Sequence, residues 1–174
     1  MGDERGGCRI IMDLYFVKKF QMTAIGIRAF PKEIIFSIVN IDDRDAPFVI
    51  SSGKVLVPVS LNLPEKLNYI RKTFKDIIFE FDACCAGIRI TESNAQGVDI
   101  TRISFEAILQ ELLSSSSVKK YFIGQISSIS ARLKFRRENF KEIVSKDGAF
   151  KLIDNWNDYS TPEKESILVA LAAR

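Results

Sequence analysis

The sequence contains no histidine, although it is 174 residues long. This absence excludes Ser-His-Asp and Cys-His catalysis, and it excludes every zinc site that needs an imidazole ligand. Only three cysteines are present, and no two of them form a Cys-x-x-Cys pair, which argues against a zinc site built from thiolates. The histidine-dependent hydrolases and the structural zinc proteins are therefore poor matches for this chain.

Two of the cysteines, Cys84 and Cys85, are adjacent in an apolar run. Neighbouring side chains on a strand point to opposite faces, so this pair is unsuited to a mutual disulfide. We interpret both as small core residues rather than as reactive thiols. An odd number of cysteines without evident partners is typical of a reducing compartment, and we expect a cytoplasmic location.

Long apolar runs and nucleotide-binding motifs are also missing. No run approaches the roughly 20 residues of a membrane helix, so we expect no membrane partner. Neither GxxxxGKS nor GxGxxG occurs, and no phosphate-binding loop is evident. The first residues, Met1 to Gly7, are acidic and rich in glycine, unlike a signal peptide. The formal charge of +3 is too small to indicate a nucleic-acid partner by itself.

The length suits one domain with its own core. We predict an N-terminal tail and short element at residues 1–21, in which Met12–Phe20 is ambiguous between helix and strand. A single α/β domain is predicted over residues 22–174, because no internal repeat or linker interrupts it.

Three strands are predicted at the start of this domain. They are Thr23–Ala29, Glu33–Ile41 and Phe48–Val59, segments that contain β-branched and aromatic residues. Short polar turns separate them, which predicts an antiparallel meander. A bend or bulge is predicted at Ser52-Gly53 in the third strand.

After the meander the apolar period changes from two to about 3.6, which predicts helices. The first helix begins at Asn62 or Pro64 and ends at Phe81-Asp82. Strands and helices then alternate. A buried strand is predicted at Ala83–Thr91 and a further strand at Tyr121–Ile126. Helices are predicted around Phe105–Leu113, with Glu106 outside the apolar stripe, over Ile129–Val144, and at the C-terminus with Thr161 as the N-cap.

This β-β-β-α-β-α-β-α order resembles the RNase H-like fold, and within it an uncharacterised, catalytically degenerate bacterial branch of the RuvC resolvase-type superfamily. Two short strings add to the resemblance: Gly26-Ile27-Arg28 on the first strand and Gly87-Ile88-Arg89 on the fourth. The resemblance covers roughly Met22 to the C-terminus. It implies an α/β fold with a mixed five-stranded sheet, flanked by helices, whose first three strands form the meander.

The same resemblance implies where catalytic carboxylates would stand. Active members carry acids where this chain has Arg28 and Arg89, and further acids on the last helix, where it has Glu163 and Glu165. Those acids hold two divalent metal ions that stabilise the attacking and leaving oxygens of phosphodiester cleavage. Guanidinium groups only donate hydrogen bonds, remain charged and repel such ions. We therefore predict a protein without catalytic residues, metal or cofactor.

Arg28 and Arg89 leave two interpretations open. If neighbouring strands bring them to one cleft, they form an anion site for a nucleic-acid phosphate or a nucleotide, because guanidinium groups bind phosphate bidentately. Alternatively, each arginine pairs with a nearby acid, such as Glu92, Glu163 or Glu165, and holds the sheet against the last helix.

A basic stretch follows the fifth predicted strand. On a continuous helix Lys134, Arg137 and Lys141 share one face, which makes them candidates for contacts with a nucleic-acid backbone. The alternative is a solvated helix face balanced by Glu138 and Glu142.

Glu33, Glu92, Glu163 and Glu165 are candidates for a displaced acidic site, with Glu92, Glu163 and Glu165 as its catalytic candidates, which would require Mg²⁺. The alternative is that they are turn, loop and helix-cap acids.

These patterns favour a non-catalytic RNase H-like domain that binds nucleic acid or another anionic or protein partner. One alternative is a metal-dependent nuclease with displaced carboxylates. Another is a structural subunit of a larger complex. A homodimer formed through an exposed strand or an apolar helix face is a further expectation.

Overall fold

The computed structural model describes residues 22–42, 46–92, 97 and 99–174. The predictions for residues 1–21, including the ambiguous element at Met12–Phe20, lie outside these ranges. Cys84 and Cys85 are free thiols, which confirms the prediction that they form no disulfide with each other. No helix within the described ranges combines the length and apolar character needed to cross a bilayer.

A mixed five-stranded sheet forms the centre of the structure. Its strands are β1 (Thr23–Ala29), β2 (Glu33–Asn40), β3 (Phe48–Leu56), β4 (Cys85–Arg89) and β5 (Lys120–Gly124). They are arranged in the order β3-β2-β1-β4-β5. β1, β2 and β3 form the antiparallel meander, whereas β4 lies parallel to β1 and β5 lies parallel to β4. The predicted fold class is thus confirmed.

The helices surround the sheet on both faces. They are α1 (Leu63–Glu80), α2 (Ile100–Ser114), α3 (Ile126–Arg132), α4 (Phe140–Val144) and α5 (Thr161–Ala172), with 3₁₀ turns at Arg137–Asn139 and Trp156–Asp158. α1 and α2 pack with Ile25 and Ile27 of β1 in one core cluster, while α3, α4 and α5 pack with Ala24 in the other. Because β1 is covered on both faces, all seven of its residues are buried.

Local sequence sets the starts of two helices that the prediction located closely. Asn62 caps α1 in a capping box with Glu65, as the prediction allowed. α5 is capped by Ser160, one residue before the predicted Thr161, because Ser160 forms the reciprocal capping box with Glu163.

Glycines in the two Gly-Ile-Arg strings allow α5 to lie directly on the sheet. A Cβ atom on Gly26 would stand 1.8 Å from the main-chain oxygen of Ser166, and one on Gly87 would stand 2.2 Å from that of Val169. No other residue fits beneath α5 at this distance. The same glycines therefore fix where α5 sits relative to Arg28 and Arg89.

Two details of the strands differ from the prediction. The irregularity in the β2–β3 pair lies at Ile50, not at Ser52-Gly53, because Ile38 pairs with Ser51 and Val39 pairs with Val49. β3 also ends at Leu56 rather than at residue 59. Pro58 lacks the N–H group that a longer strand would need for pairing.

The continuous helix predicted over residues 129–144 is wrong. α3 ends at Arg132, and Lys134 adopts a left-handed conformation with φ of +59°. The amide of Phe135 donates to the main-chain oxygen of Ser130, which closes the helix end. Lys134, Arg137 and Lys141 consequently belong to a turn, a 3₁₀ turn and α4, and they share no helix face.

Candidate functional site

Arg28 and Arg89 lie side by side near the C-terminal ends of β1 and β4. They are register partners in the parallel pair, as the resemblance implied. Both are almost fully buried, with exposed fractions of 6% and 4%. Arg28 Nη1 donates to the main-chain oxygen of Arg89 at 3.3 Å, which links the two strands through a side chain.

Glu165 on α5 lies against both arginines. Its Oε2 atom is 2.6 Å from Arg28 Nε and 3.4 Å from Arg89 Nε. These three atoms are buried and lack regular hydrogen-bond geometry, so the contact is an ion pair rather than a bidentate fork. Burial raises the pKa of the Glu165 carboxyl above its ordinary value, whereas Arg89 and Arg102 act in the opposite direction. The ionised carboxylate therefore depends on its arginine neighbours.

Glu92 completes the cluster from the loop after β4. Its Oε1 atom lies 3.5 Å from Arg89 Nη2 and accepts a hydrogen bond from the amide of Ile126 at 2.9 Å. Ile126 is the first residue of α3. We call Arg28, Arg89, Glu92 and Glu165 the arginine–glutamate cluster. It connects β1 and β4 with α3 and α5.

Glu163 is not part of this cluster. Its Oε1 atom accepts from the Ser52 hydroxyl on β3 at 2.7 Å, and its Oε2 atom accepts from the Ser160 amide at 2.9 Å. Burial acts against ionisation, but the hydrogen bonds from Ser160 and Ser52 lower the pKa of this carboxyl. Of the three acids proposed as arginine partners, the structure therefore brings Glu92 and Glu165 to the arginines, and it uses Glu163 as a helix cap.

Residues that the sequence interpretation did not single out surround the cluster. The guanidinium groups of Arg28 and Arg102 lie over the ring of Phe30, 5.2 and 5.7 Å from its centroid. Arg102 Nε donates to Glu106 Oε1 at 3.1 Å. Glu106 is 4% exposed, so its predicted position outside the apolar stripe of α2 is wrong.

Hydrogen bonds explain the burial of Glu106. Its carboxylate accepts from the amide of Thr91 at 3.1 Å and from the Thr91 hydroxyl at 2.9 Å. The i,i+4 spacing of Arg102 and Glu106 was the signal in the sequence that could have identified this pair.

The resemblance to RuvC-type resolvases implies a site for two divalent metal ions. Hard cations need several oxygen ligands. Arg28 and Arg89 offer only N–H groups, Glu165 Oε2 contacts both arginines, and Glu92 Oε1 contacts Arg89 and the Ile126 amide. Among the described residues, no three Asp, Glu, His or Cys side chains are grouped closely enough to hold a metal. The residues at this position do not fit the two-metal site.

A small cavity of about 250 Å³ opens beside the cluster. The charged residues in its lining are Glu92 and Glu106, so a bound anion would face two carboxylates. Both arginines converge on partly buried acids, as the second interpretation describes. The positive charges of Arg28 and Arg89 are therefore paired with glutamates of the protein itself.

Comparisons with known proteins identify the fold. No protein-family model and no curated protein sequence matches the chain. RuvC from Thermus thermophilus matches with a TM-score of 0.66 at 10% identity, over 87% of this chain and 92% of that one. The same resolvase in complex with a Holliday junction substrate gives 0.65 at 9% identity, over the same shares of the two chains. The yeast mitochondrial Holliday junction resolvase Ydc2 gives 0.53 at 11%, over 87% of this chain and 78% of that one. The chain therefore has the RNase H-like fold of the RuvC-type resolvases.

Proposed function

We propose that this protein is a non-catalytic RNase H-like domain that binds nucleic acid. The observation that carries the proposal is the arginine–glutamate cluster. Arg28 and Arg89 lie at the strand ends where the resemblance expects metal-binding acids, and Glu165 sits between them at ion-pairing distance. The domain has the RNase H-like fold, but arginines stand where the resemblance expects the acids that would bind two metal ions.

Electrostatics support the loss of cleavage. A divalent cation entering the cluster would meet two guanidinium groups, and it would have to take Glu165 and Glu92 away from them. Leaving a buried arginine unpaired costs several kcal/mol in general. Ion pairing inside the protein therefore competes directly with metal binding.

Nucleic-acid binding is supported by the fold neighbours. One of the similar solved structures is a resolvase in complex with a Holliday junction. Binding to phosphate backbones needs only a basic surface and does not need the metal-binding acids. A domain that has lost the acids can thus keep the binding part of the function.

The experiment that tests the proposal uses purified protein and labelled four-way junctions, single strands and RNA–DNA hybrids. We expect binding that weakens steeply with salt, measured by fluorescence anisotropy, and no cleavage with Mg²⁺ or Mn²⁺ on denaturing gels. Cleavage that is lost in Glu92→Gln or Glu165→Gln would establish the alternative of a displaced-carboxylate nuclease. Failure to bind any of the three substrates would refute the binding proposal in favour of a structural subunit.

The homodimer and the cytoplasmic location stay predictions. β3 is an edge strand of the sheet and carries exposed apolar side chains at Phe48, Ile50 and Leu56, which is the kind of surface that the homodimer prediction requires. Sedimentation equilibrium over a range of concentrations tests it. A monomer at all concentrations would contradict it.

A further inference from the structure

We propose that a basic groove at the opposite end of the sheet from the arginine–glutamate cluster binds the phosphate groups of a nucleic-acid backbone. This inference rests on the proposed function and names the surface that performs it. The groove has a volume of about 670 Å³, and its charged lining consists of Lys120, Arg132, Lys134 and Arg174. We call it the basic groove.

The register of the sheet fixes the place of the groove. Lys120 begins β5 and pairs with Cys85, while Gly124 ends β5 and pairs with Arg89. Four residues of strand, or about 13 Å at 3.3 Å per residue, separate the two ends. The groove therefore lies outside the position at which the resemblance places catalytic acids.

The lysine and arginine side chains of the groove differ from the cations of the cluster in their partners. Among the residues that the structure describes, no Asp or Glu side chain forms a salt bridge with Lys120, Arg132 or Lys134. Arg28, Arg89 and Arg102 are each paired with a glutamate. Within the described ranges, Arg132 and Lys134 thus present positive charge without a salt-bridged carboxylate on one concave surface, which attracts an anion, whereas the paired cluster does not.

Two of these cations are held in place by contacts that leave donors free. Arg132 Nη1 donates to the main-chain oxygen of Ala172 at 2.8 Å, and its guanidinium lies 4.3 Å from the centroid of Phe122. Lys120 Nζ donates to the main-chain oxygen of Arg174 at 2.6 Å. A guanidinium has five N–H groups and an ammonium has three, so both retain donors for phosphate oxygens. Fixing the side chains in advance reduces the entropy lost on binding.

Lys134 reaches the groove from a strained position. Its φ of +59° is the left-handed conformation in which helices commonly end on glycine. A side chain with a Cβ atom is disfavoured there relative to an ordinary conformation. The side chain is nevertheless exposed and lines the groove, so packing against the core does not explain its presence.

A purely structural role is the competing explanation. Cations near the C-terminus of a helix interact favourably with its dipole, and the groove lies at the end of α5. On that explanation, changing these residues lowers the melting temperature and leaves binding unchanged. Lys134→Gly separates the two explanations, because glycine removes the charge and also relieves the backbone conformation.

The test compares Lys120→Gln with Lys134→Gly, singly and together, against a control that carries Lys72→Gln and Lys75→Gln on the exposed face of α1. The probes are a fluorescein-labelled single strand and a four-way junction, titrated at several salt concentrations. We expect each groove substitution to weaken binding roughly eightfold at about 0.1 M salt and to reduce the salt slope by about one. The control binds like the wild type, and Lys134→Gly keeps the wild-type melting temperature.

Other results overturn the inference. If the wild type binds and the double groove variant binds equally well, the groove is refuted while the proposed function stands. If the Lys72/Lys75 control loses as much affinity as the groove variant, the effect is general charge and the groove is refuted. If polyglutamate displaces the oligonucleotide at equal charge concentration, the site binds acidic protein instead. If the wild type binds no nucleic acid, the proposed function fails and the groove fails with it.

Discussion

Replacing Glu165 with alanine leaves Arg28 and Arg89 buried without their shared carboxylate. The arginines are 6% and 4% exposed, so their guanidinium groups stay largely out of solvent when the partner is lost. Breaking a buried ion pair by removing one member costs about 3–5 kcal/mol. For a chain of this length the loss corresponds to a drop in Tm of about 6–20 °C. We therefore expect Glu165→Ala to be among the most destabilising single changes at the polar positions of the fold.

The assay is urea denaturation followed by circular dichroism, with two comparison variants. Glu111→Ala removes the partner of Arg71 from a surface pair whose side chains are 49% and 37% exposed, and solvent screening makes its loss much smaller. Glu165→Gln keeps an oxygen acceptor and the side-chain volume. Because burial favours the neutral form of Glu165, the Gln variant loses less than the Ala variant. If Glu165→Ala and Glu111→Ala unfold at the same urea concentration, the cluster contributes nothing and the reasoning is refuted.

Three further predictions concern other parts of the molecule. The pKa of Glu163 lies below its ordinary 4.5 in the folded protein, so its carboxylate stabilises the fold above pH 4.5. The difference in unfolding free energy between the wild type and Glu163→Gln therefore shrinks as the pH falls below that value. A difference that stays constant with pH contradicts this. Gly26→Ala places a Cβ atom 1.8 Å from the Ser166 oxygen and lowers the unfolding free energy by about 3 kcal/mol or more. In the same urea assay Gly53→Ala, whose Cβ atom stands 3.2 Å from the Phe36 ring, unfolds near the wild-type midpoint. Equal midpoints for the two variants refute the close packing of α5. Millimolar Mg²⁺ or Mn²⁺ leaves the wild-type Tm unchanged, because only a bound ion raises it; an increase that disappears in Glu165→Gln contradicts the absence of a metal site.

The order of elements could be predicted because local patterns and tertiary structure agree there. β1 has the predicted bounds, since β-branched residues fill a strand that is buried on both faces. The adjacency of Arg28 and Arg89 followed from the resemblance, which implied that the first and fourth strands are neighbours. In both cases short-range pattern and overall topology give the same answer.

Tertiary contacts decided what could not be predicted. Which acid meets the arginines depends on the rotation of α5, and that rotation is set by its contact with Gly26 and Gly87. The break after α3 occurs at Lys134, a residue with good helix propensity, so no local signal marked it. Glu106 is buried through Thr91 and Arg102, which a hydrophobic pattern does not reveal.

The basic groove was invisible in the sequence for a related reason. Lys120 belongs to β5, Arg132 to α3 and Lys134 to the turn that follows it. Within the basic stretch from Arg132 to Lys141, the sequence pattern predicted one helix face for Lys134, Arg137 and Lys141. The fold instead divides that stretch and brings its first part beside Lys120.

The proposed function requires that the domain binds nucleic acid and does not cleave it. Its most direct test is a titration of a labelled four-way junction with the protein in Mn²⁺. At each protein concentration, fluorescence anisotropy measures binding and a denaturing gel measures cleavage. The account predicts a full binding curve over which every DNA strand stays intact, with the same curve for Glu165→Gln if that variant is folded. Strand cleavage that rises with occupancy and disappears in Glu165→Gln would contradict it.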